Sequence, residues 1–233
     1  MTTKISLESV KQGRVSDGVR EQITNLILAG ELKVGDRLPT ENELARQLGV
    51  SKVPVREAMI SLQQMGLLTS RRGAGGGVFV CEPSPEPVGE ALTLMLRLGQ
   101  ASIADLTQAR LIIEPHVARQ AAQLATAQDV ARLKETITKY REVVEQDLAR
   151  SIRDLDFHLA LADACGNPVL NLIARALVPL VYTNVRQRRL PSDNRSLGLD
   201  GHVEIFEAVR EGDPKAAQEA MTRHVTQMAT FWQ

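Results

Sequence analysis

Three of the four histidines in the chain, and one aspartate, fall in segments with a helical pattern. Asp154 and His158 are four residues apart in RDLDFHLALADACGNP, so a carboxylate and an imidazole would project from one helix face. His202 lies in DGHVEIFEAVREGDP and His224 in AMTRHVTQM. These groups suit a divalent cation such as zinc, nickel or manganese, with coordination positions left for water or a ligand. The alternative is that these histidines are simply packed or solvated.

A second group of residues could contact nucleic acid. In TENELARQLGVSKVPVREAMISLQQMG, two short helical patterns flank a glycine-containing turn, which predicts a helix-turn-helix at about residues 41–60. Lys52 and Arg56 share one face of the second helix and can reach base edges or phosphates. Ser51 and the amides at that helix start suit a phosphate. The same pattern also fits a small helical hairpin with a solvated basic face.

The stretch LLTSRRGAGGGVFV alternates around a glycine-rich turn and predicts a two-stranded hairpin. Arg71 and Arg72 precede that turn. A hairpin beside a helix-turn-helix would act as a wing, which could place a cation in the adjacent minor groove.

Capping signals and apolar spacing predict the helices that position these residues. Ser16 or Asp17 begins a first helix that ends at Gly30. Thr40 and Glu43 form a capping box for the second helix. Ser51 is expected to cap the third. The residues expected to face the core are Val19, Ile23, Leu26, Ile27, Leu44, Leu48, Val55, Ala58, Met59 and Leu62.

Helical patterns continue nearly to the C-terminus. Asn167 with Pro168, and Asp213 with Pro214, are cap and first-turn pairs. The expected helix starts lie near Val88, Ile103, Ala127, Ala149, Val169, Leu199 and Pro214. We therefore predict a mainly α fold: an N-terminal winged helix-turn-helix with a small β-hairpin wing, followed by an antiparallel all-α bundle.

The domain boundary is predicted at CEPSPEPVGE, where prolines stand at alternate positions and favour an extended connection. We expect a DNA-binding domain over residues 1–82, a Pro-rich linker over 83–87 and a ligand-sensing domain over 88–233. The formal net charge is +0, so a DNA-binding prediction rests on where particular basic residues lie and not on total charge.

The N-terminal segment lacks the apolar core of a signal peptide, and no stretch is long and apolar enough to span a bilayer. We therefore expect a cytoplasmic protein without a membrane partner. Cys81 and Cys165 match no metal-binding or redox spacing, so each is expected to be an ordinary reduced thiol.

Residues 15–80 resemble the GntR family of winged helix-turn-helix repressors. The family pattern P-[ST]-E-x-x-L-A-x-x-x-x-V-S-x-x-P-V-R-E-A-x-x-x-L-x-x-x-G-L runs unbroken from Pro39 to Leu67. Asn42 and Lys52 stand where members often carry Arg, so the resemblance does not fix the exact operator sequence. The resemblance implies a dimer that binds double-stranded operator DNA. The implied DNA-contacting residues are Thr40, Ser51, Lys52, Arg56, Arg71 and Arg72.

Residues 88–230 resemble the FCD-type ligand domain of the FadR-like branch of that family. Its marks appear as R-x-x-x-E at Arg110, D-x-x-x-H at Asp154, G-N at Asn167 and H-x(21)-H at His202. The resemblance implies an antiparallel bundle around a pocket. It implies that Asp154, His158, His202 and His224 are metal ligands, and that Arg110 and Asn167 face an organic acid effector. Arg110 could equally form a salt bridge with Glu114, whereas His116 falls outside the pattern.

Together these features predict a ligand-responsive transcriptional regulator, which we expect to be a homodimeric repressor released by a small carboxylic or hydroxy acid. Two alternatives remain at this point. The metal ion itself could be the effector, or the Asp and His residues could hold the metal of a hydrolase fused to a DNA-binding domain. An enzyme would need a general base, and the chain has no motif such as H-E-x-x-H to provide one.

Overall fold

The computed structural model describes residues 15–145, 151–185 and 197–230. The chain divides into two compact units, with the boundary between Pro87 and Val88. The first unit contains α1 (Val15–Leu28), α2 (Glu41–Leu48), α3 (Lys52–Gln64), β1 (Leu68–Arg71) and β2 (Gly77–Val80). The second contains α4 (Glu86–Arg97), α5 (Ile103–Leu124), α6 (Ala127–Glu145), α7 (Ser151–Ala164), α8 (Pro168–Val185), α9 (Leu197–Glu211) and α10 (Pro214–Ala229).

The second helix forms as its capping residues predict, whereas Ser16 and Asp17, the predicted caps of the first helix, lie inside α1. Thr40 and Glu43 satisfy each other's backbone amides at the start of α2. Gly49 ends α2 in a left-handed conformation, which glycine adopts without steric cost. On α3 the predicted buried face is confirmed, since Val55, Ala58, Met59 and Leu62 are all buried.

Two details of this unit differ from the sequence prediction. Leu26 was expected to face the core but is 37% exposed, because α1 turns only Val19, Ile23 and Ile27 toward its neighbours. Ser51 occupies the N-cap position of α3, yet its side chain makes no capping hydrogen bond. The Ser51 hydroxyl is therefore not committed to the helix start.

The wing is the predicted antiparallel hairpin. Strands β1 and β2 pair in the register Leu68 with Val80 and Arg71 with Gly77. The chain before α2 runs along the other edge of β2, where Arg37 and Phe79 form an isolated antiparallel bridge. The Leu38 amide donates to the Val78 carbonyl over 2.8 Å, and the Val80 amide donates to the Asp36 carbonyl over 2.9 Å.

The connection between the two units is shorter than the predicted linker over residues 83–87. Helix α4 begins at Glu86, so only the first part of CEPSPEP is extended. The physical reason is that proline is tolerated in the first turn of a helix, where its missing amide has no helical partner. Pro87 lies in that first turn.

The second unit packs α5 to α10 around one hydrophobic core, to which each of these six helices contributes. The observed helix starts lie within two residues of the predicted ones, and Ala149, the predicted start of α7, lies outside the described residues. Asn167 caps α8 by accepting from the Val169 and Leu170 amides. Asp213 caps α10 in the same way. These local signals are confirmed because each is satisfied within its own helix.

No helix in the described part of the chain has the length and apolar character needed to cross a membrane. The N-terminal segment on which the signal-peptide prediction rests includes residues 1–14, which lie outside the described residues. Both cysteines are free thiols, and Cys165 is buried.

Candidate functional site

Three helices bring the four predicted metal ligands together inside the second unit. Helix α7 carries Asp154 and His158, α9 carries His202, and α10 carries His224. Nε2 of His158 lies 3.2 Å from Nε2 of His202 and 3.3 Å from Nε2 of His224. Nε2 of His202 lies 3.2 Å from Oδ1 of Asp154. One ligand atom from each of the four residues falls within 4.8 Å of all the others.

The cluster is buried, and burial sets the protonation of its members. All four side chains are at most 3% exposed. Burial lowers the pKa of His202 and of His224 well below the ordinary value, and the neighbouring histidines lower it further. Burial also raises the pKa of Asp154. His202 and His224 are therefore held neutral at physiological pH, which is the state in which imidazole binds a metal.

Two further charged residues stand behind His158. On α5, Glu114 places Oε2 at 2.5 Å from Nδ1 of His158, and its other carboxylate oxygen pairs with the buried Arg110 guanidinium. Burial alone would raise the pKa of Glu114, but Arg110 and His158 outweigh it and hold that pKa well below its ordinary value. Glu114 is thus a buried carboxylate that stays ionised between two partners.

Aromatic rings and glycines shape the space around the imidazoles. The ring of Phe157 stacks on His202 with centroids 4.1 Å apart, and Tyr140 lies on the same imidazole at 5.4 Å. Gly201 allows α9 to approach α10 closely, because a Cβ at this position would overlap the His224 ring. Contacts of this kind leave each imidazole little freedom to turn.

The donor set fits a divalent cation. In the described structure, Nδ1 of His202 and Nδ1 of His224 have no hydrogen-bond partner. Nε2 of His158 lies close to Nε2 of His202 and to Nε2 of His224, and each of these two contacts could be a hydrogen bond only if one of the two nitrogens carried a proton. Buried polar groups left in this state cost free energy. Two ligands about 2.0–2.1 Å from a shared tetrahedral zinc ion would lie about 3.3 Å apart. The separations of His158 from His202, of His158 from His224 and of His202 from Asp154 match that value, while the cluster as a whole spans up to 4.8 Å.

Arg110 and Asn167, the two predicted effector-binding residues, are placed differently. Arg110 is fully buried beside the cluster, where it forms the salt bridge with Glu114 that the spacing allowed. Asn167 stands at the start of α8, about four helical turns before Tyr182, whose ring centroid lies 6.3 Å from that of His158. The structure therefore separates Asn167 from the cluster, and its side chain is used in capping α8.

The predicted DNA-contacting face of α3 is exposed. Lys52 and Arg56 are both accessible, opposite the buried Val55 and Met59. Arg56 is not free, because its guanidinium donates to both carboxylate oxygens of Glu41 on α2, with the shortest distance at 2.7 Å. The salt bridge with Glu41 holds the Arg56 guanidinium group on the outer surface of the helix-turn-helix.

The remaining predicted DNA contacts lie on the same unit. Thr40 is exposed, but its hydroxyl already donates to Glu43 within the capping box. Ser51 is exposed at the start of α3. Arg71 and Arg72 are exposed at the end of β1, and the Arg71 guanidinium carbon lies 4.5 Å from the centre of the Phe79 ring. The structure thus presents basic side chains from both the helix-turn-helix and the wing.

Comparison with known families identifies both units. Residues 15–80 match the family described as bacterial regulatory proteins, gntR family, and residues 105–227 match the FCD domain. The second match alone covers more than half of the chain. This chain belongs to the gntR family of regulators. It carries the FCD domain of the FadR-like branch.

Named relatives of this gntR regulator agree with that assignment. It is 31% identical over 204 residues to the Uxu operon regulator of Haemophilus influenzae, covering 85% of this chain and 74% of the relative. It is also 31% identical over 229 residues to the HTH-type transcriptional repressor NanR of Salmonella schwarzengrund, covering 94% and 84%. Among solved structures, a Streptococcus agalactiae GntR protein matches with a TM-score of 0.71 and 28% identity, covering 93% of this chain and 99% of that one.

The family assignment settles the broad class of function. The relatives and the matched families are DNA-binding transcriptional regulators and not enzymes, so this gntR member is a regulator as well. The mainly α architecture with a winged helix-turn-helix, predicted from the sequence, is confirmed.

Sequence reasoning missed two residues of this regulator's candidate sites. It treated Glu114 only as a salt-bridge partner for Arg110, although Glu114 also contacts His158. It gave Glu41 no role, although Glu41 binds Arg56 across 15 residues of sequence. The Arg110 to Glu114 spacing was the available signal for the first, whereas the second pairing depends on how α2 and α3 pack, which spacing alone does not reveal.

Proposed function

We propose that this gntR regulator is a repressor whose helical domain binds a divalent metal ion and, on that ion, a small carboxylic or hydroxy acid that releases the protein from its operator. The observation that carries the proposal is the buried cluster of Asp154, His158, His202 and His224, whose ligand atoms all lie within 4.8 Å. Repression is supported by the relative named as a transcriptional repressor.

Asp154, His158, His202 and His224 would hold the metal. A bound zinc, nickel or manganese ion would supply a Lewis-acidic positive charge for a carboxylate or hydroxyl oxygen of the effector. The protein's own contribution is the neutral imidazoles of His202 and His224, the aromatic packing on His202, and the Glu114 carboxylate behind His158.

Arg110 gives the same region a buried positive charge that favours an anionic effector. Its guanidinium carbon lies 5.7 Å from the centre of the Tyr182 ring, and Tyr182 belongs to the group of side chains around His158. A planar guanidinium recognises carboxylates well. We place Arg110 on the effector side of the pocket and leave Asn167 in its capping role, because its position at the start of α8 removes it from the cluster.

For DNA binding we assign residues 1–82, with contacts from Thr40, Ser51, Lys52, Arg56, Arg71 and Arg72. Residues 88–233 form the sensing domain, and residues 83–87 join the two. We propose a homodimer, because two half-sites about one helical turn apart need two such units. An effector can change operator affinity only if it binds the released arrangement more tightly than the DNA-bound one. We expect the regulator to act in the cytoplasm.

The first test is metal analysis of the purified protein and of the variants His202→Ala and His116→Ala. His116 is the matched control, because it is exposed and makes only a local contact with the Ile112 carbonyl. We expect one metal ion per chain in the wild type and in His116→Ala, and its loss in His202→Ala. Equal metal content in all three proteins would contradict the proposed site.

The second test identifies the effector class with metal-loaded protein. A thermal-shift screen of small organic acids detects a ligand, because binding to the native state raises apparent stability. Operator binding is then titrated with metal alone, and with metal plus acid. Release that needs the acid, with the acid recovered unchanged, supports the proposal. Release by metal alone would make the ion itself the effector.

A further inference from the structure

The wing carries two arginines of which only one, Arg71, has a role in the sites described above. Arg37 precedes α2, and Arg71 ends β1. Both side chains are exposed, and neither forms a salt bridge with any described residue. Arg56, by contrast, is held by Glu41. Within the described residues, the wing thus carries two cations that form no salt bridge, although Glu43 lies near enough to Arg37 to interact with it electrostatically.

Strand register places the two arginines on one face. Arg37 is bridged to Phe79, and Arg71 is paired with Gly77, two residues earlier on β2. Directly paired residues of antiparallel strands point to the same face, and residues two apart on one strand share a face. Arg37, Phe79 and Arg71 therefore all project from the same side of the small sheet.

The side-chain contacts place both arginines over neighbouring residues of β2. Arg71 lies over the Phe79 ring, with its guanidinium carbon 4.5 Å from the ring centre. Arg37 extends over Gly77. A Cβ added to Gly77 would lie 2.6 Å from Nε of Arg37. Because Gly77 is the direct partner of Arg71, the absence of a side chain there opens the space that Arg37 fills beside Arg71.

Backbone hydrogen bonds make this arrangement rigid. The residues on either side of Arg37 are bound to β2, since the Leu38 amide donates to Val78 and the Asp36 carbonyl accepts from Val80. Two like charges side by side on a sheet repel each other, and a bound anion removes that cost. Guanidinium groups bind phosphate through two parallel hydrogen bonds.

We propose that Arg37 and Arg71 together bind one backbone phosphate of duplex DNA, at a site whose shape is set by Phe79 and Gly77. The inference rests on the proposed function only in that the wing faces DNA. It adds Arg37, which lies outside the helix-turn-helix and the wing turn. A phosphate contact positions the wing and carries no base specificity.

The test measures how DNA affinity depends on salt, using a duplex that the wild-type protein selects from a randomised pool and a scrambled duplex of equal length. The variants are Arg37→Met, Arg71→Met and the double variant. Arg20→Met is the matched control, because Arg20 is a partly exposed arginine of α1 that pairs with Asp17. Methionine keeps much of the aliphatic stem, and thermal unfolding of each variant checks the fold.

We expect each single wing variant to lower the slope of log affinity against log salt by about 0.9, the value for one phosphate contact. Since both arginines hold the same phosphate, the double variant should lose little more than either single one. The loss should be the same on the selected and scrambled duplexes, and Arg20→Met should leave the slope unchanged.

An unchanged slope in folded Arg37→Met would overturn the inference. If the salt slope of the double variant falls by twice as much as that of either single variant, the two arginines bind separate phosphates. That result would also overturn the proposed shared phosphate site. Failure of the proposed effector response is measured separately: a protein that binds DNA but ignores every acid and metal leaves the Arg37 result intact. A wild type that binds neither duplex would overturn both proposals.

Discussion

Nδ1 of His158 lies 2.5 Å from Oε2 of Glu114, so a buried carboxylate stands directly behind one imidazole of the candidate metal site. When Nδ1 donates to that carboxylate, Nε2 is left with its lone pair facing His202 and His224. Glu114 also binds the buried Arg110. The Glu114 side chain therefore links the orientation of His158 in the candidate metal site to the buried charge of Arg110.

The first prediction concerns this orienting contact. Glu114→Gln removes the negative charge that polarises His158 while nearly keeping the side-chain volume. We expect metal affinity to fall by about 10–100-fold, the usual effect of losing such a partner. Competition with a chromophoric chelator measures it. Glu219→Gln on α10 is the control, since Glu219 is exposed. Equal affinities in the two variants would show that Glu114 does not orient His158.

The second prediction separates stability from metal binding. Arg110→Met alone leaves the Glu114 carboxylate buried without its cation, which costs about 3–5 kcal/mol of folding free energy. The double variant Arg110→Met with Glu114→Leu removes both charges and should recover most of that loss. Urea unfolding in the presence of a chelator measures both values.

Metal affinity should not recover in this double variant, because the carboxylate behind His158 remains absent. A double variant whose stability loss equals the sum of the two single losses would contradict the view that Arg110 and Glu114 act as a buried pair.

Much of this architecture is readable from short-range signals. The capping box at Thr40 and the caps at Asn167 and Asp213 form within a few residues, so the sequence alone predicts where those helices begin. The apolar spacing on α3 predicts its buried face for the same reason. The i, i+4 spacing of Asp154 and His158 likewise predicts that they share a face.

Features that depend on how distant elements pack were not readable. Helix rotation brings Glu114 against His158 and Glu41 against Arg56, and no local pattern encodes that rotation. Asn167 illustrates a related point, because a cap that is satisfied locally looks the same in sequence as a residue facing a pocket. The β-bridge at Arg37 was missed because a single bridge leaves no alternating pattern in the sequence.

The third prediction compares two glycines in helices. Gly201→Ala would place a Cβ against the His224 ring, so α9 or α10 must shift. We expect lower stability and loss of bound metal. Gly18→Ala on α1 meets no atom within 4 Å and should stabilise its unit by about 0.5–1 kcal/mol, because alanine is the better helix former. Thermal unfolding and metal analysis of the two variants measure these effects. If Gly201→Ala retained its metal, that result would contradict the requirement for close packing of α9 against the His224 ring.

The fourth prediction concerns acid stability at the start of α6. Thr126 and Asp129 form a capping box, and the hydrogen bonds from the Thr126 side chain and backbone lower the pKa of Asp129. A carboxyl group with a lowered pKa stabilises the fold above its ordinary pKa of 3.8, and this contribution is lost as pH falls through the lowered value.

Thr126→Ala should therefore cost about 1 kcal/mol near neutral pH. The difference from wild type should shrink below about pH 4, where the wild type loses the same contacts. Urea unfolding between pH 3 and pH 7 measures the difference, with Thr138→Ala in the middle of α6 as the control. A difference that stays constant down to pH 3 would mean that the Asp129 charge has no part in the cap.

The last prediction concerns the pair of Arg56 and Glu41. We expect Arg56→Ala to abolish binding to the selected duplex in a mobility-shift assay while the protein stays folded, because the guanidinium stands on the exposed face of α3. Glu41→Gln leaves the arginine but releases it from the carboxylate. This variant should bind scrambled DNA more tightly, since one repelling charge is gone, and should discriminate less between the selected and scrambled duplexes.

The two variants together distinguish a DNA-reading role from a structural one. If the pair only joins α2 to α3, both substitutions should change stability little, because exposed salt bridges contribute little, and should leave DNA affinity nearly unchanged. Near-normal operator binding by folded Arg56→Ala would support that structural role. Loss of binding in Arg56→Ala, together with altered discrimination between the two duplexes in Glu41→Gln, would instead assign the pair to DNA recognition. In that case Glu41 holds the Arg56 guanidinium group in the position from which it contacts DNA.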